Sequence, residues 1–211
     1  CVEDWRDKCQ LGDPASHAEF VTRVSEAAEV AVDLGVGKLV VLVGDIGPHI
    51  DIDSQRRAVR DGLARASDAI AARPVALLVE VVNRQIEGPN ALLQDSQSAL
   101  QLLRELDRDN VRLLYDRYHS ILNGEALGWA IAGNMDLVGH VQAADVPGRH
   151  EFGTGTHNWA TELGWLLAAG YDGYVGIEAV VIGELDAVLA EALSLLQQAM
   201  SSSSVINREA P

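Results

Sequence analysis

The stretch HVQAADVPGRHEFGTGTHNW (140–159) opens on residues that suit a buried strand. It then crowds Gln142, Asp145, Arg149, His150 and Glu151 into one loop with several glycines and a proline. A strand that runs straight into so polar a loop is expected to deliver it to the mouth of an active site, with Gln142 as a ligand at the strand end.

The chain on either side of it repeats one unit. Residues 15–34 carry Phe20, Val24, Ala27, Ala28 and Ala31 at helical spacing. KLVVLV (38–43) is a short, wholly apolar run, as a strand covered on both faces should be. The spacing predicts a helix over 53–72, capped by Asp53 or Ser54. The unit recurs as PVALLVE (74–80) with a helix at 91–106, and as VRLLYD (111–116) with a loop RYHS and a short helix near 124–133. It recurs again as DLVGHVQ (136–142) with a helix at 158–169, and as GYVGIE (173–178) with a helix at 183–200. The first dozen residues read as a loop. Residues 1–200 are expected to form one domain and the serine-rich 201–211 a disordered tail.

Five strands alternating with helices imply a parallel sheet with right-handed crossovers. Strand count favours an open doubly wound sheet; the polar groups favour part of a (β/α)8 barrel. Four consecutive strands end on an oxygen-bearing side chain: Glu80, Asp116, Gln142 and Glu178. Strand side chains alternate between faces, so these four can share one face while Val79, Tyr115, Val141 and Ile177 meet the helices. Leu78, Leu114, His140 and Gly176 are expected one layer further in, with His140 a packed, hydrogen-bonded core histidine. In a barrel, neighbouring strand ends converge at the rim where such enzymes keep their active sites. In an open sheet they would lie along a line. Three carboxylates and an amide oxygen make a hard ligand set, suited to Mg2+ or Mn2+. Taken singly, each of these residues could be the polar residue with which many strands enter a loop.

Composition bounds the partners. The net charge of −15 disfavours nucleic acid and is compatible with a small substrate or a divalent cation. The 48% hydrophobic content is enough for a sizeable core. No apolar run approaches the ~18 residues of a membrane span. The only two cysteines, Cys1 and Cys9, do not make a disulfide framework or a zinc finger, and a cytoplasmic setting is expected.

The segments VALLVEVVNRQIEGPNALL, NVRLLYDRYHSILNGE, HVQAADVPGRHEFGTGTHNW and GYDGYVGIE resemble the hydroxypyruvate isomerases, in the xylose isomerase-like group of TIM barrels. The resemblance implies a (β/α)8 barrel of which this chain holds about five βα units, the C-terminal part, with the N-terminal units missing. It implies a metal held by Glu80, Asp116, Gln142 and Glu178, with Glu80 and Glu178 as the acid/base pair. The segment AVVIGELDA after Glu178 departs from the polar, proline-containing loop of that family.

Interconverting hydroxypyruvate and tartronate semialdehyde moves a proton between adjacent carbons through an enediolate. Two carboxylates flanking the substrate suit that task. His119, in D-x-x-H after Asp116, is a candidate to bind a substrate oxygen. Arg149, with Arg84 as its rival, is a candidate to clamp the substrate carboxylate. His150 and Glu151 are candidates for the mouth or for a turn salt bridge, and Trp159 for packing or for covering the site. Endonuclease chemistry is disfavoured by the few histidines at strand ends. A sugar epimerase of the same group is the near alternative. A non-catalytic truncated barrel that binds a partner is the distant one, with its exposed edges covered by a homo-oligomer.

Overall fold

The computed structural model describes residues 10–126 and 130–206. Cys1, Cys9, Trp5, Trp129, most of the predicted N-terminal loop and residues 207–211 of the predicted tail lie outside them.

Each predicted strand is present: β1 (Lys38–Val41), β2 (Ala76–Glu80), β3 (Val111–Asp116), β4 (Val138–Ala143) and β5 (Val175–Ile177). All pair in parallel, in the order β1-β2-β3-β4-β5, so each strand lies beside the one before it in the chain. A doubly wound sheet reverses its strand order partway, whereas a barrel does not. The sheet also curls. Lys38 on β1 reaches past two strands to donate from Nζ to the Gly139 carbonyl of β4 at 2.8 Å. The result is an incomplete barrel, and among the described residues the outer edges of β1 and β5 carry no further strand.

The outer face of the sheet buries Leu77, Val79, Leu113, Tyr115 and Val141 in one cluster with Leu63, Leu100 and Leu103 from the helices. Those helices are α1 (His17–Asp33), α2 (Ile52–Ala69), α3 (Ser96–Leu106), α4 (Arg117–Leu122), α5 (Trp159–Ala168) and α6 (Leu185–Ile206). Short polar side chains start most of them by taking an N–H that the first turn leaves free. Asp51 accepts from Ser54 N at 2.9 Å, Asp95 from Ser98 N at 2.7 Å and Asn158 from Thr161 N at 3.1 Å. The cap of α2 is thus Asp51, and not Asp53 or Ser54.

Two predicted boundaries move. The RYHS segment is not a loop: α4 begins directly at the end of β3, because Asp116 accepts from Tyr118 N at 2.8 Å and caps it. Residues 124 and 130–133 lie in turns and 125–126 are irregular, and no helix lies among the described residues of 124–133. The last helix continues through Ile206, into the segment expected to be a disordered tail.

The register shows a stagger that sequence spacing does not. Glu80 lies beside Leu114, Leu114 beside His140, Asp116 beside Gln142, and Gln142 beside Gly176. The polar ends therefore climb by one layer between β2 and β3 and by another between β4 and Glu178. The inner set Leu78, Leu114, His140 and Gly176 is not one layer either, since Leu78 lies beside Arg112. Such a climb is the shear that strand tilt imposes on a barrel.

Candidate active site

The loop that follows β4 divides its polar residues between two tasks. Most of them hold the loop itself. Asp145 is completely buried; its carboxylate accepts from the backbone N–H groups of Val146 (2.9 Å), Gly153 (3.0 Å) and Gly155 (2.9 Å). Glu151 accepts from Ile182 N at 3.0 Å and Gly183 N at 2.7 Å, which ties this loop to the one after β5. His150 Nδ1 lies 2.6 Å from the Val180 carbonyl and completes the seam. His150 and Glu151 therefore fasten two loops together and form no turn salt bridge with each other. A Cβ at Gly155 would come within 2.1 Å of the Val146 carbonyl. Asp145→Ala leaves three backbone donors unpaired and is expected to cost about 3 kcal/mol. Chemical denaturation checks it, with Thr22→Ala on the exposed face of α1 as the mild control.

Arg149 is what this seam positions. It occupies the left-handed region at φ 58°, which turns its side chain out of the loop and over the strand ends. Its Nη2 lies 3.1 Å from Asp116 Oδ2 and 3.1 Å from Glu178 Oε1, and Nη1 lies 3.8 Å from Glu87 Oε1. Its guanidinium carbon stands 5.0 Å above the centre of the Tyr118 ring. One arginine thus gathers carboxylates from β3, from the end of β5 and from the loop after β2. Glu178 N donates to Ala143 O at 3.2 Å, so its backbone is held to β4.

Glu80, Asp116 and His119 form the tightest group, with potential ligand atoms within 4.8 Å of one another. His119 Nε2 is 3.5 Å from Asp116 Oδ2 and 3.7 Å from Glu80 Oε1. Burial, together with the neighbouring charges of Asp116 and Glu178, pushes Glu80 up to about 8. Burial pushes Asp116 up to about 6, against the pull of Arg149. Burial and the Arg149 charge push His119 down to about 3, so its ring is neutral. These displacements reflect carboxylates held together in a confined, partly desolvated space.

The donor set suits a hard cation. Gln142 Oε1 is buried and has no hydrogen-bond partner. A buried amide oxygen without a donor is costly, and a cation beside three carboxylates is a partner of the right sign. Glu80, Asp116, Gln142 and Glu178 would supply only oxygens.

The remaining candidates fall elsewhere. Arg84 is exposed, and among the described residues only its backbone N–H is engaged, donating to Asn123 Oδ1 at 3.0 Å, so its side chain does not join the cluster. Trp159 is buried against Phe152, with ring centres 4.6 Å apart, and packs without covering the mouth. His140 is half-buried with Nδ1 unpartnered, where a hydrogen-bonded core histidine was expected. Asn83, Glu87 and Tyr118 belong to the site and were not foreseen. One signal was available: Glu80-x-x-Asn83 and Asp116-x-x-His119 repeat one offset after adjacent strands, and Asn83 and His119 touch.

Residues 9–199 match the xylose isomerase-like TIM barrel family. The chain belongs to that family. A Streptomyces coelicolor protein provisionally named hydroxypyruvate isomerase is 36% identical over 180 residues, spanning 82% of this chain and 63% of that protein. A 2-oxo-tetronate isomerase of Pectobacterium atrosepticum is 28% identical over 155 residues, spanning 74% of this chain and 59% of that one. The solved structure of an L-ribulose 3-epimerase superposes with a TM-score of 0.82 at 20% identity, covering 98% of this chain and 77% of that one. This chain therefore spans about six-tenths of the length of the Streptomyces coelicolor and Pectobacterium atrosepticum proteins. Its polar groups gather where parallel strands end, the rim at which (β/α)8 enzymes keep their active sites. No described helix is long and apolar enough to cross a membrane.

Proposed function

We propose that this chain carries the active-site part of an isomerase that interconverts hydroxypyruvate and tartronate semialdehyde, or a similar small hydroxy-carbonyl pair, by proton transfer. The observation that carries this reading is the unpartnered Gln142 Oε1 among three strand-end carboxylates. Such a set both invites a divalent cation and offers two glutamates beside it.

Glu80, Asp116, Gln142 and Glu178 would hold the cation, Mg2+ or Mn2+ by the hardness of their oxygens. Bound there, it would stabilise the negative charge that develops on the two substrate oxygens. Glu80 and Glu178 take a proton from one carbon and return one to its neighbour. Arg149 sits over the same space and pairs with an anionic group, either a carboxylate of the protein or that of the substrate. The side chains of Glu80 and Asp116 are largely buried, which strengthens the charge interactions they make. The relatives named 2-oxo-tetronate isomerase make a four-carbon keto acid the nearest alternative substrate for the same residues.

Saturating Mn2+ is expected to raise Tm by about 5–10 °C, since a ligand at 100 times its Kd adds about 2.7 kcal/mol. Gln142→Met should abolish that rise. It should leave the metal-free Tm unchanged or slightly raised, because Oε1 makes no hydrogen bond to lose and is costly to bury unpaired. Turnover of hydroxypyruvate and of 2-oxo-tetronate, with and without EDTA, tests the chemistry. Absence of turnover on both, with no thermal response to Mg2+ or Mn2+, would overturn the proposal in favour of a binding module.

A further inference from the structure

Asn83 is completely buried, and each polar atom of its side chain is engaged. Its Oδ1 accepts from the backbone N–H of Ile86 at 2.8 Å and of Glu87 at 3.4 Å. Those two bonds decide which end of the amide faces which way. Its Nδ2 end therefore faces Glu87 Oε2, which accepts one hydrogen, and His119 Nδ1, 2.9 Å away. The backbone N–H of Asn83 points at the same ring nitrogen from 3.1 Å. A backbone N–H can only donate, so His119 Nδ1 can only accept. The one ring hydrogen of a neutral imidazole then resides on Nε2. That nitrogen faces Asp116 Oδ2 and Glu80 Oε1 at 3.5 and 3.7 Å, beyond the range of a good N–H···O bond. The donor is aimed at the cluster and not consumed by it.

We infer that Asn83 is a positioning residue that holds His119 as an Nε2–H donor facing the space between Glu80 and Asp116, where it donates a hydrogen bond to a substrate oxygen. The identity of that acceptor rests on the isomerase reading; the tautomer does not. His119 is thereby excluded as a cation ligand through Nε2, although it lies within the tightest cluster of candidate ligands. The hydrogen stays on Nε2 throughout. The bond strengthens as charge builds on the oxygen it meets, which is where a preorganised donor contributes to rate. Glu87 takes part twice: it accepts from Asn83 Nδ2, and it lies beside Arg149.

Long-range 1H–15N correlation on protein carrying 15N-histidine reads the tautomer directly. The expected spectrum gives His119 an unprotonated, pyridine-type Nδ1 and a protonated, pyrrole-type Nε2, assigned by the signal lost in His119→Gln. The reverse pattern, or two protonated nitrogens, overturns the inference. Asn83→Asp places an acceptor where a donor faces Nδ1. The backbone N–H of residue 83 still faces Nδ1, so the variant is expected to populate an Nδ1-protonated form beside the Nε2–H one and to lower kcat by about ten- to a hundredfold, as loss of an orienting partner does. KM should change far less, and the Mn2+-induced rise in Tm should persist. An unchanged spectrum with unchanged kcat overturns the inference. If that variant does not fold, the wild-type spectrum decides alone. The expected spectrum in a protein that turns over neither keto acid defeats the isomerase reading and leaves the tautomer assignment standing; turnover with the reversed spectrum does the opposite.

Discussion

Glu178→Gln is expected to lower kcat on hydroxypyruvate by about a thousandfold, the middle of the range for removing a general acid or base. The amide has the shape of the carboxylate and keeps an oxygen for Arg149 Nη2, now 3.1 Å from Glu178 Oε1. It cannot accept a proton from carbon. The side chain is 49% exposed, so the change should leave Tm nearly untouched. Assaying at saturating Mn2+ separates lost proton transfer from weakened cation binding. Turnover within about threefold of wild type would remove Glu178 from the chemistry, since a group that moves the proton contributes at least 10²-fold.

Loss of either partner of the Arg117–Glu162 pair is expected to destabilise the fold by about 3–5 kcal/mol, because a buried charge is left unpaired. For a chain of this size that is a fall in Tm on the order of 10 °C. The pair is a fork. Arg117 Nε donates to Glu162 Oε2 at 2.7 Å and Nη2 to Oε1 at 3.2 Å, with side chains only 6% and 9% exposed. The third nitrogen, Nη1, donates to Ser120 Oγ at 2.9 Å and to the Glu125 carbonyl at 3.0 Å. Glu162 lies in the first turn of α5, where the helix dipole also favours its charge. The fork pins α4 to α5, and α4 carries His119 into the site. Arg117→Met combined with Glu162→Leu should be less damaging than either single change, since no lone charge then remains buried. A double variant as unstable as the sum of the singles would mean that packing, and not charge, holds this junction. Circular-dichroism melts of the four proteins decide between them.

The sequence carried much of the scaffold and little of its wiring. KLVVLV, PVALLVE and VRLLYD are legible as strands because a strand buried on both faces must be apolar along its length. The alternation of side chains, a local property of extended backbone, placed Glu80, Asp116, Gln142 and Glu178 on one face. The helix at RYHS was not legible, because its cap is a strand residue: Asp116 serves the end of β3 and the start of α4 at once. Arg149 read as a clamp for substrate, and its ion pairs with Asp116 and Glu178 depend on a left-handed backbone turn that the residues before it do not announce.

By itself, then, the sequence determined the count and direction of the strands, the side of the sheet that is polar, and the family. All of these follow from short-range periodicity or from motifs read in order along the chain. Tertiary structure alone decided the layer-by-layer climb of the strand ends, the Asn83 contacts to His119, the Arg117–Glu162 fork and the seam that aims Arg149. Each of these joins groups from different βα units, and their distances are set by sheet curl and helix packing, which no local pattern encodes.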